Sequence, residues 1–204
     1  MLPEENLHRV PKEIDTDAAT FVEPLAAALA IQQQVTIRPD DKVLLLGDGK
    51  LGQLIAQTLA LTGCELLVVG RHPQKLALLS GRGITTGTAE DVEAGAFDVA
   101  VECTGNAEGF ALAHRSLRPG GTLVLKSTYA GKLALDASAL VVDEIAVVGS
   151  RCGSFAPALR TLAAGRVEVE SLIQARFSLQ DGLEAFAKAR ERNCLKVLLN
   201  IGEI

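Results

Sequence analysis

Aromatic and basic residues are scarce in this sequence. It has no Trp, one Tyr and six Phe among 204 residues, and 20 Lys+Arg against 25 Asp+Glu give a formal net charge of -5. Because nucleic-acid-binding proteins usually carry a basic face, we expect no nucleic-acid partner. No apolar run approaches the roughly 18 residues of a membrane-spanning helix, and the N-terminus lacks the apolar core of a signal peptide. We therefore expect a cytoplasmic protein with no membrane contact.

Closely spaced metal ligands are also missing. The three histidines form no HxH or HExxH motif, and no CxxC pair is present. A structural zinc site needs such pairs, because two ligands come from one turn. The four cysteines are far apart in the chain, and we expect them to be free thiols: Cys64, Cys103, Cys152 and Cys194.

Short apolar runs alternate with helical patterns through most of the chain. This alternation is typical of an α/β fold, and it predicts a Rossmann-type, doubly wound parallel sheet of six strands. Strands are expected at 43–47, 65–70, 84–85, 98–103, 122–127 and 144–150, and helices at 50–63, 73–83, 107–117 and 155–165. The stretch 118–121, RPGG, is expected to be a turn.

The two ends of the chain depart from this alternation. Residues 15–34 read as helical, with Pro24 ending one short helix and starting another. From 171 onward the pattern predicts strand, helix and strand, with Ser178 capping a helix that runs to about Arg192. We therefore predict a leading segment and helix at 1–34, a dinucleotide-binding Rossmann domain at 35–168 and a C-terminal return segment at 169–204.

A glycine-rich turn, GDGKLG, joins the first predicted strand to the following helix. Gly47 permits the tight turn, Gly49 lets a diphosphate approach the backbone, and Gly52 lets the helix pack against the strand. The first-turn amides near Lys50 and Leu51 would then face the diphosphate, helped by the helix dipole. The motif in this context predicts a dinucleotide site.

The end of the second predicted strand indicates which dinucleotide binds. Sites for NAD usually place Asp or Glu here, about 20 residues after the glycines, but this sequence has Gly70, Arg71 and His72. Gly70 removes a carboxylate that would repel a 2′-phosphate, while the Arg71 guanidinium and Lys75 can attract one. These residues favour NADP over NAD. In the alternative, Arg71 only lies along the surface and the site takes NAD without a carboxylate.

Polar residues follow three further predicted strands. Ligands in such sheets lie outside the carboxyl ends of the strands, so these residues are candidates to reach the ribose and nicotinamide. They are Cys103, Thr104 and Gly105 after the fourth strand, Lys126 and Ser127 after the fifth, and Ser150 and Arg151 after the sixth.

Five stretches carry a resemblance to a known family: TFVEPL at 20–25, the glycine turn, ECTGN, LRPGGTLVL and GSRCG. The chain resembles the cofactor-binding, C-terminal half of a zinc-dependent medium-chain alcohol or polyol dehydrogenase. The resemblance implies hydride transfer between NAD(P)H and a small alcohol or carbonyl substrate. It also implies that Glu23 lies beside the catalytic zinc, as a ligand or holding its water. The alternative is that Glu23 only favours the first turn of a helix.

The resemblance further implies that the edge strand of the sheet pairs with that of a second subunit. The sixth predicted strand, 144–150, is apolar and should lie at this edge, so we expect a homodimer. The β-barrel domain that carries the family's Cys and His-Glu zinc ligands is not in this sequence. We therefore expect zinc only in the full-length family member, and no activity from this chain alone.

Two other functions stay open at this point. The chain could be a stand-alone module that senses a dinucleotide. Less favoured is an S-adenosylmethionine methyltransferase, whose fold also opens with a glycine-rich turn. Such a site would need an acidic residue where Gly70 and Arg71 stand.

Overall fold

Six parallel strands form the central sheet of the computed structural model, which describes residues 3–202. In spatial order the strands run β3-β2-β1-β4-β5-β6. The strands are β1 (Lys42–Leu46), β2 (Glu65–Val69), β3 (Thr85–Gly87), β4 (Phe97–Glu102), β5 (Leu117–Leu125) and β6 (Ala146–Gly149). The predicted α/β fold with a Rossmann-type sheet is confirmed.

Helices cover both faces of this sheet. The α-helices of residues 3–202 are α1 (Thr16–Ala19), α2 (Val22–Gln34), α3 (Lys50–Ala60), α4 (Pro73–Ser80), α5 (Ala107–Ser116), α6 (Ala137–Val142), α7 (Phe155–Ala163) and α8 (Gly182–Ala189), of which α8 packs on a separate C-terminal sheet. Alternate side chains of β1 enter two different cores. Val43 and Leu45 pack with α2, α3 and α7, whereas Leu44 and Leu46 pack with α5. A strand covered on both faces reads as a continuous apolar run, and this is why β1 could be identified from the sequence.

The structure corrects three details of the predicted elements. Residues 118–121 were expected to precede the strand, but they lie within β5 as an unpaired, irregular stretch, because Leu117 pairs with Phe97 and Thr122 with Val99. Helix α6 was not expected, because it has only six residues and none of them is buried. Helix α8 begins at Gly182 rather than Ser178, after a short 3-10 turn, and ends before Arg192.

The predicted C-terminal strand-helix-strand unit is confirmed. Strands β7 (Ile173–Ser178) and β8 (Lys196–Asn200) pair in parallel as a separate two-stranded sheet, with α8 between them in the chain. The unit is held to the start of the chain, since Lys196 donates to the Thr20 carbonyl at 3.2 Å and its Nζ lies 4.8 Å from the centre of the Phe21 ring. The outer face of α8 is apolar and open, with Leu183 89% and Phe186 64% exposed.

Two further features bear on function. Strand β6 lies at one edge of the large sheet, as expected, although it is shorter than predicted. Within residues 3–202, no helix combines the length and apolar character needed to cross a membrane. The three segment boundaries given above stay predictions.

Candidate functional site

A cleft of about 580 Å³ opens at the carboxyl ends of β1, β2 and β4. The order of the strands reverses between β1 and β4, and this switch point is where open α/β sheets bind ligands. Eight of the predicted cofactor residues line the cleft: Gly47, Gly49, Gly70, Arg71, His72, Lys75, Cys103 and Thr104.

The glycine turn forms one wall of this cleft, and each glycine has a distinct environment. Gly47 has a φ of 122°, in the region that favours glycine, and a Cβ there would lie 2.8 Å from the Cys103 carbonyl oxygen. A Cβ on Gly52 would overlap the Gly47 carbonyl, so only glycine allows α3 to approach β1 this closely. Gly49 has no neighbouring atom within 4 Å of its Cβ position, which leaves open space before the first turn of α3.

The first turn of α3 and the glycine turn together form a concave surface, called here the glycine cradle. It contains Lys50, Leu51 and Gly52, directly after the glycines that line the cleft. The first backbone N–H groups of a helix have no partner within the helix and, with the helix dipole, they favour an anion. The open space and the turn therefore fit the diphosphate of a dinucleotide.

The loop after β2 faces the glycine turn through a buried carboxylate. Asp48 Oδ2 accepts from the amides of Arg71 at 2.8 Å and His72 at 2.7 Å, and Asp48 Oδ1 lies 2.9 Å from His72 Nδ1. A Cβ on Gly70 would lie 2.6 Å from the Asp48 Cβ. Asp48 therefore occupies the space beside Gly70 and fixes the loop that carries Arg71 and His72.

The predicted cations at this end of the cleft are placed differently from one another. The Arg71 side chain is exposed on the cleft wall. Lys75 also lines the cleft but is buried, and its Nζ donates to the Arg192 carbonyl at 3.0 Å. Arg115 of α5 supplies a cation that the sequence reading missed.

The turn after β4 is organised by Glu102, which is 0% exposed. Its Oε1 accepts from the Thr104 amide and hydroxyl, both at 2.5 Å, and from the Gly105 amide at 2.9 Å. Its Oε2 accepts from the Tyr129 hydroxyl at 2.5 Å. These four bonds hold the Thr104–Gly105 turn against the cleft.

Burial in this region raises the pKa of two side chains, a thiol and a phenol. Burial and then the nearby Glu102 charge raise the pKa of the Cys103 thiol to about 12, so the thiol is protonated at neutral pH. Burial and the hydrogen bond to Glu102 raise the pKa of Tyr129 above its ordinary value. Both groups are therefore neutral hydrogen-bonding groups at neutral pH.

A second group of predicted residues lies at the carboxyl ends of β5 and β6, outside the lining of the cleft. Lys126 is buried and donates to the Ser150 hydroxyl at 3.2 Å and to the Arg151 carbonyl at 3.0 Å. Burial lowers the pKa of Lys126, while Cys103 acts in the opposite direction. Ser127 lies against the Gly105 turn, with its Cβ 3.4 Å from the Gly105 Cβ position. The two groups are therefore neighbours at the carboxyl ends of the strands.

Residues 3–202 do not by themselves form a catalytic zinc site. Glu23 is exposed in the first turn of α2. In the part of the chain that the structure describes, no three His, Cys, Asp or Glu side chains lie together in a group that could hold a metal ion. Since catalytic zinc takes about three protein ligands, Glu23 cannot hold it alone. Its role beside a zinc ion stays a prediction.

Several residues of the cleft were not identified from the sequence. Asp48 lies inside the glycine motif, but its partners are more than 20 positions away in the chain. One face of α5 also lines the cleft, at helical spacing: Glu108, Ala111, Leu112 and Arg115. The spacing of three, four and seven residues from Glu108 was the available signal for this face.

Comparisons with known proteins match the chain to one family and to longer proteins. The model of the family described as zinc-binding dehydrogenases matches residues 51–164, more than half of the chain. D-arabinitol dehydrogenase 1 of Uromyces fabae is 25% identical over 214 residues, which cover 91% of this chain and 59% of the relative. D-xylulose reductase A of Aspergillus oryzae is 25% identical over 220 residues, which cover 98% of this chain and 61% of the relative.

A solved structure has the same fold. A provisionally assigned zinc-binding dehydrogenase of Sinorhizobium meliloti 1021, bound to NADP, is similar to this chain with a TM-score of 0.89 and 25% identity. The match covers 97% of this chain and 63% of that protein. The chain thus spans less than two thirds of the length of the relatives it matches.

Proposed function

Because the chain belongs to the family of zinc-binding dehydrogenases, we propose that it is the part of an alcohol or polyol dehydrogenase that binds NADP(H). The resemblance to the cofactor-binding half of such an enzyme is confirmed by the family match and by the fold. Membership of this family is also the reason to set aside a methyltransferase. The observation that carries the proposal is the glycine cradle, which opens onto a cleft with Arg71 on its wall.

Separate elements of the chain would bind the diphosphate and the 2′-phosphate of the cofactor. The first turn of α3 would hold the diphosphate in the open space beside Gly49. Arg71, with His72 beside it, would bind the 2′-phosphate of the adenosine ribose by charge-assisted hydrogen bonds. A bound NADP(H) would supply hydride transfer to or from the carbon of an alcohol or carbonyl group.

The opposite end of the cofactor would lie over the turns after β4, β5 and β6. The Thr104–Gly105 turn is fixed by Glu102, and Lys126 ties the end of β5 to the end of β6. Hydroxyl and backbone groups held in this way can orient a ribose and an amide without rearrangement on binding. We assign them to positioning of the nicotinamide riboside.

The substrate follows from the relatives only by class. Those named above are a D-arabinitol dehydrogenase and a D-xylulose reductase, so a sugar alcohol or its ketose is the proposed substrate class. Because the described residues do not hold a zinc site, no step through zinc is assigned to this chain. All four cysteines are free, which is consistent with the proposed cytoplasmic location, where thiols are kept reduced.

The preference for NADP(H) can be tested by titrating the 204-residue chain with NADPH and NADH in a calorimeter. We expect NADPH to bind at least about tenfold more tightly, since one charged hydrogen bond is worth about 1.5–3 kcal/mol. Arg71→Ala should weaken NADPH binding by about tenfold or more and leave NADH binding nearly unchanged. Arg166→Ala removes an exposed arginine that does not line the cleft, and serves as the matched control. Equal affinities for the two cofactors in the unchanged protein would refute the role of Arg71.

A homodimer through β6 is proposed as the assembly. Strand β6 is an exposed edge with Val147 44% exposed, and Val141 and Val142 of the neighbouring α6 are also exposed. An apolar edge of this kind can pair with its symmetry mate and extend the sheet across both subunits.

Charge at the edge should disrupt this dimer. Val147→Asp places a carboxylate on each side of the twofold axis, so we expect dimers in the unchanged protein and monomers in the variant by light scattering at micromolar concentration. Leu183→Asp, on the exposed face of α8, should leave the dimer intact. A monomeric unchanged protein would contradict the proposed pairing.

A further inference from the structure

The carboxylate of Asp48 is almost fully enclosed, at 6% exposure, on the floor of the cleft. Two backbone amides and one imidazole nitrogen of the 71–72 loop point at it, within 2.7–2.9 Å. An ionised carboxylate can only accept hydrogen bonds, so the Nδ1 of His72 must carry the shared hydrogen. The other ring nitrogen of His72, Nε2, is then left for a partner outside this pair.

The position of Asp48 also restricts residue 70. A Cβ on Gly70 would lie 2.6 Å from both Cβ and Cγ of Asp48, closer than real side chains approach. Both Asp48 atoms belong to an enclosed side chain held by three hydrogen bonds, so the neighbour cannot move aside easily. Sites for NAD commonly use an Asp or Glu at this strand end. Asp48 therefore excludes the side chain that would bind the ribose hydroxyls of NAD.

Asp48 bonds the backbone amide of Arg71 and not its guanidinium, so the positive charge of Arg71 remains available to a ligand. The Asp48 carboxylate is paired with His72 and the loop amides. Among residues 3–202, the Arg71 guanidinium takes part in no ion pair. A dianionic phosphate at the cleft wall would therefore meet an arginine with no competing carboxylate partner.

We propose that Asp48 is a specificity-determining positioning residue, which holds Arg71 and His72 for a 2′-phosphate and excludes an acidic side chain at position 70. The inference rests on the proposed preference for NADP(H), and it adds a residue that contacts the loop and need not contact the cofactor.

The first test is Asp48→Ala, which removes the acceptor of the Arg71 and His72 amides and of the His72 imidazole. We expect the affinity for NADPH to fall about fivefold to twentyfold, while the affinity for NADH changes less than about threefold, because only the 2′-phosphate depends on the loop. A structural role alone would lower both affinities together. Melting temperatures recorded for each variant identify any loss of folding.

The second test compares Gly70→Asp with the double variant Asp48→Ala/Gly70→Asp. The single variant should melt at a lower temperature and lose affinity for both cofactors, because the two side chains overlap. Removing the Asp48 side chain should relieve the overlap, so the double variant should melt above Gly70→Asp and bind NADH more tightly than NADPH.

The outcomes separate this inference from the proposed function. An unchanged protein without preference for NADPH contradicts both. If the unchanged protein prefers NADPH but Asp48→Ala keeps the same ratio of affinities, only the positioning role is wrong. If Gly70→Asp alone melts normally and prefers NADH as strongly as the double variant, the exclusion at position 70 is wrong.

Discussion

Gly52→Ala should abolish tight NADPH binding and also lower the free energy of unfolding. A Cβ at this position would lie 3.0 Å from the carbonyl carbon of Gly47 and closer still to its oxygen, so α3 must move away from β1. Overpacking of this kind costs about 1–3 kcal/mol. The amides proposed to face the diphosphate move with the helix, and hydrogen bonds weaken steeply when their distance and angle change. Urea denaturation and calorimetric titration measure the two effects.

Two other glycines supply matched controls for this substitution. Gly49→Ala meets no atom within 4 Å, so the fold should be kept, but the methyl group enters the space proposed for the diphosphate and should weaken binding. Gly182→Ala at the start of α8 is also unobstructed and lies outside the cleft, so it should leave binding unchanged. Tight NADPH binding by Gly52→Ala would show that the cradle is not the diphosphate site.

Glu102→Ala should lower the free energy of unfolding by about 2–5 kcal/mol. The substitution leaves the amides of Thr104 and Gly105 without their acceptor, and each buried unsatisfied group costs about 1–3 kcal/mol. The Thr104–Gly105 turn would also lose its fixed position at the cleft, so NADPH binding should weaken. Glu102→Gln is the matched control, because its side-chain oxygen can still accept from both amides and its NH₂ group can donate to the Tyr129 oxygen. Equal stability of the two variants would show that the acceptor role is not what matters.

The same network gives the protein a dependence on alkaline pH. Since the pKa of Tyr129 is raised in the folded protein, its neutral hydroxyl is favoured there. Its contribution to stability is therefore complete below about pH 10, the ordinary value for tyrosine, and is lost as the pH rises through the raised pKa. Tyr129→Phe should remove this part of the alkaline loss of stability, as measured by urea denaturation at several pH values between 9 and 11.

The elements that could be predicted are those whose signal is local. Strand β1 is buried on both faces and reads as an uninterrupted apolar run, and the glycines at its end have spacing that only a tight strand-to-helix turn requires. Elements whose conformation depends on tertiary contacts were predicted incorrectly. Pro119 and the two glycines after it indicated a turn ahead of β5, but Leu117 before them already pairs with β4, so the irregular stretch lies inside β5. Helix α6 buries no residue, so it leaves no amphipathic pattern to detect.

The functional site shows the same limit. The place of Arg71 and the glycines on the cleft could be predicted from their order along the chain. The contact between Asp48 and Gly70 could not be predicted, because they are 22 positions apart and β2 must pair with β1 before they meet. For Lys75, the position on the cleft could be predicted from the sequence. Its hydrogen bond to the Arg192 carbonyl could not, because that residue lies 117 positions further along the chain.

One of the two cores joins opposite ends of the chain, and this affects how the protein can be made. The core around α2 contains Ile14 and Phe21 from the beginning and Leu172 and Leu195 from the end. During synthesis on the ribosome, this core cannot close until the last of these residues has emerged. Contacts so distant in sequence give a high contact order and slow folding. Until then the part of this core that Leu172 and Leu195 cover is exposed, which makes it a place where the nascent chain can aggregate or recruit a chaperone.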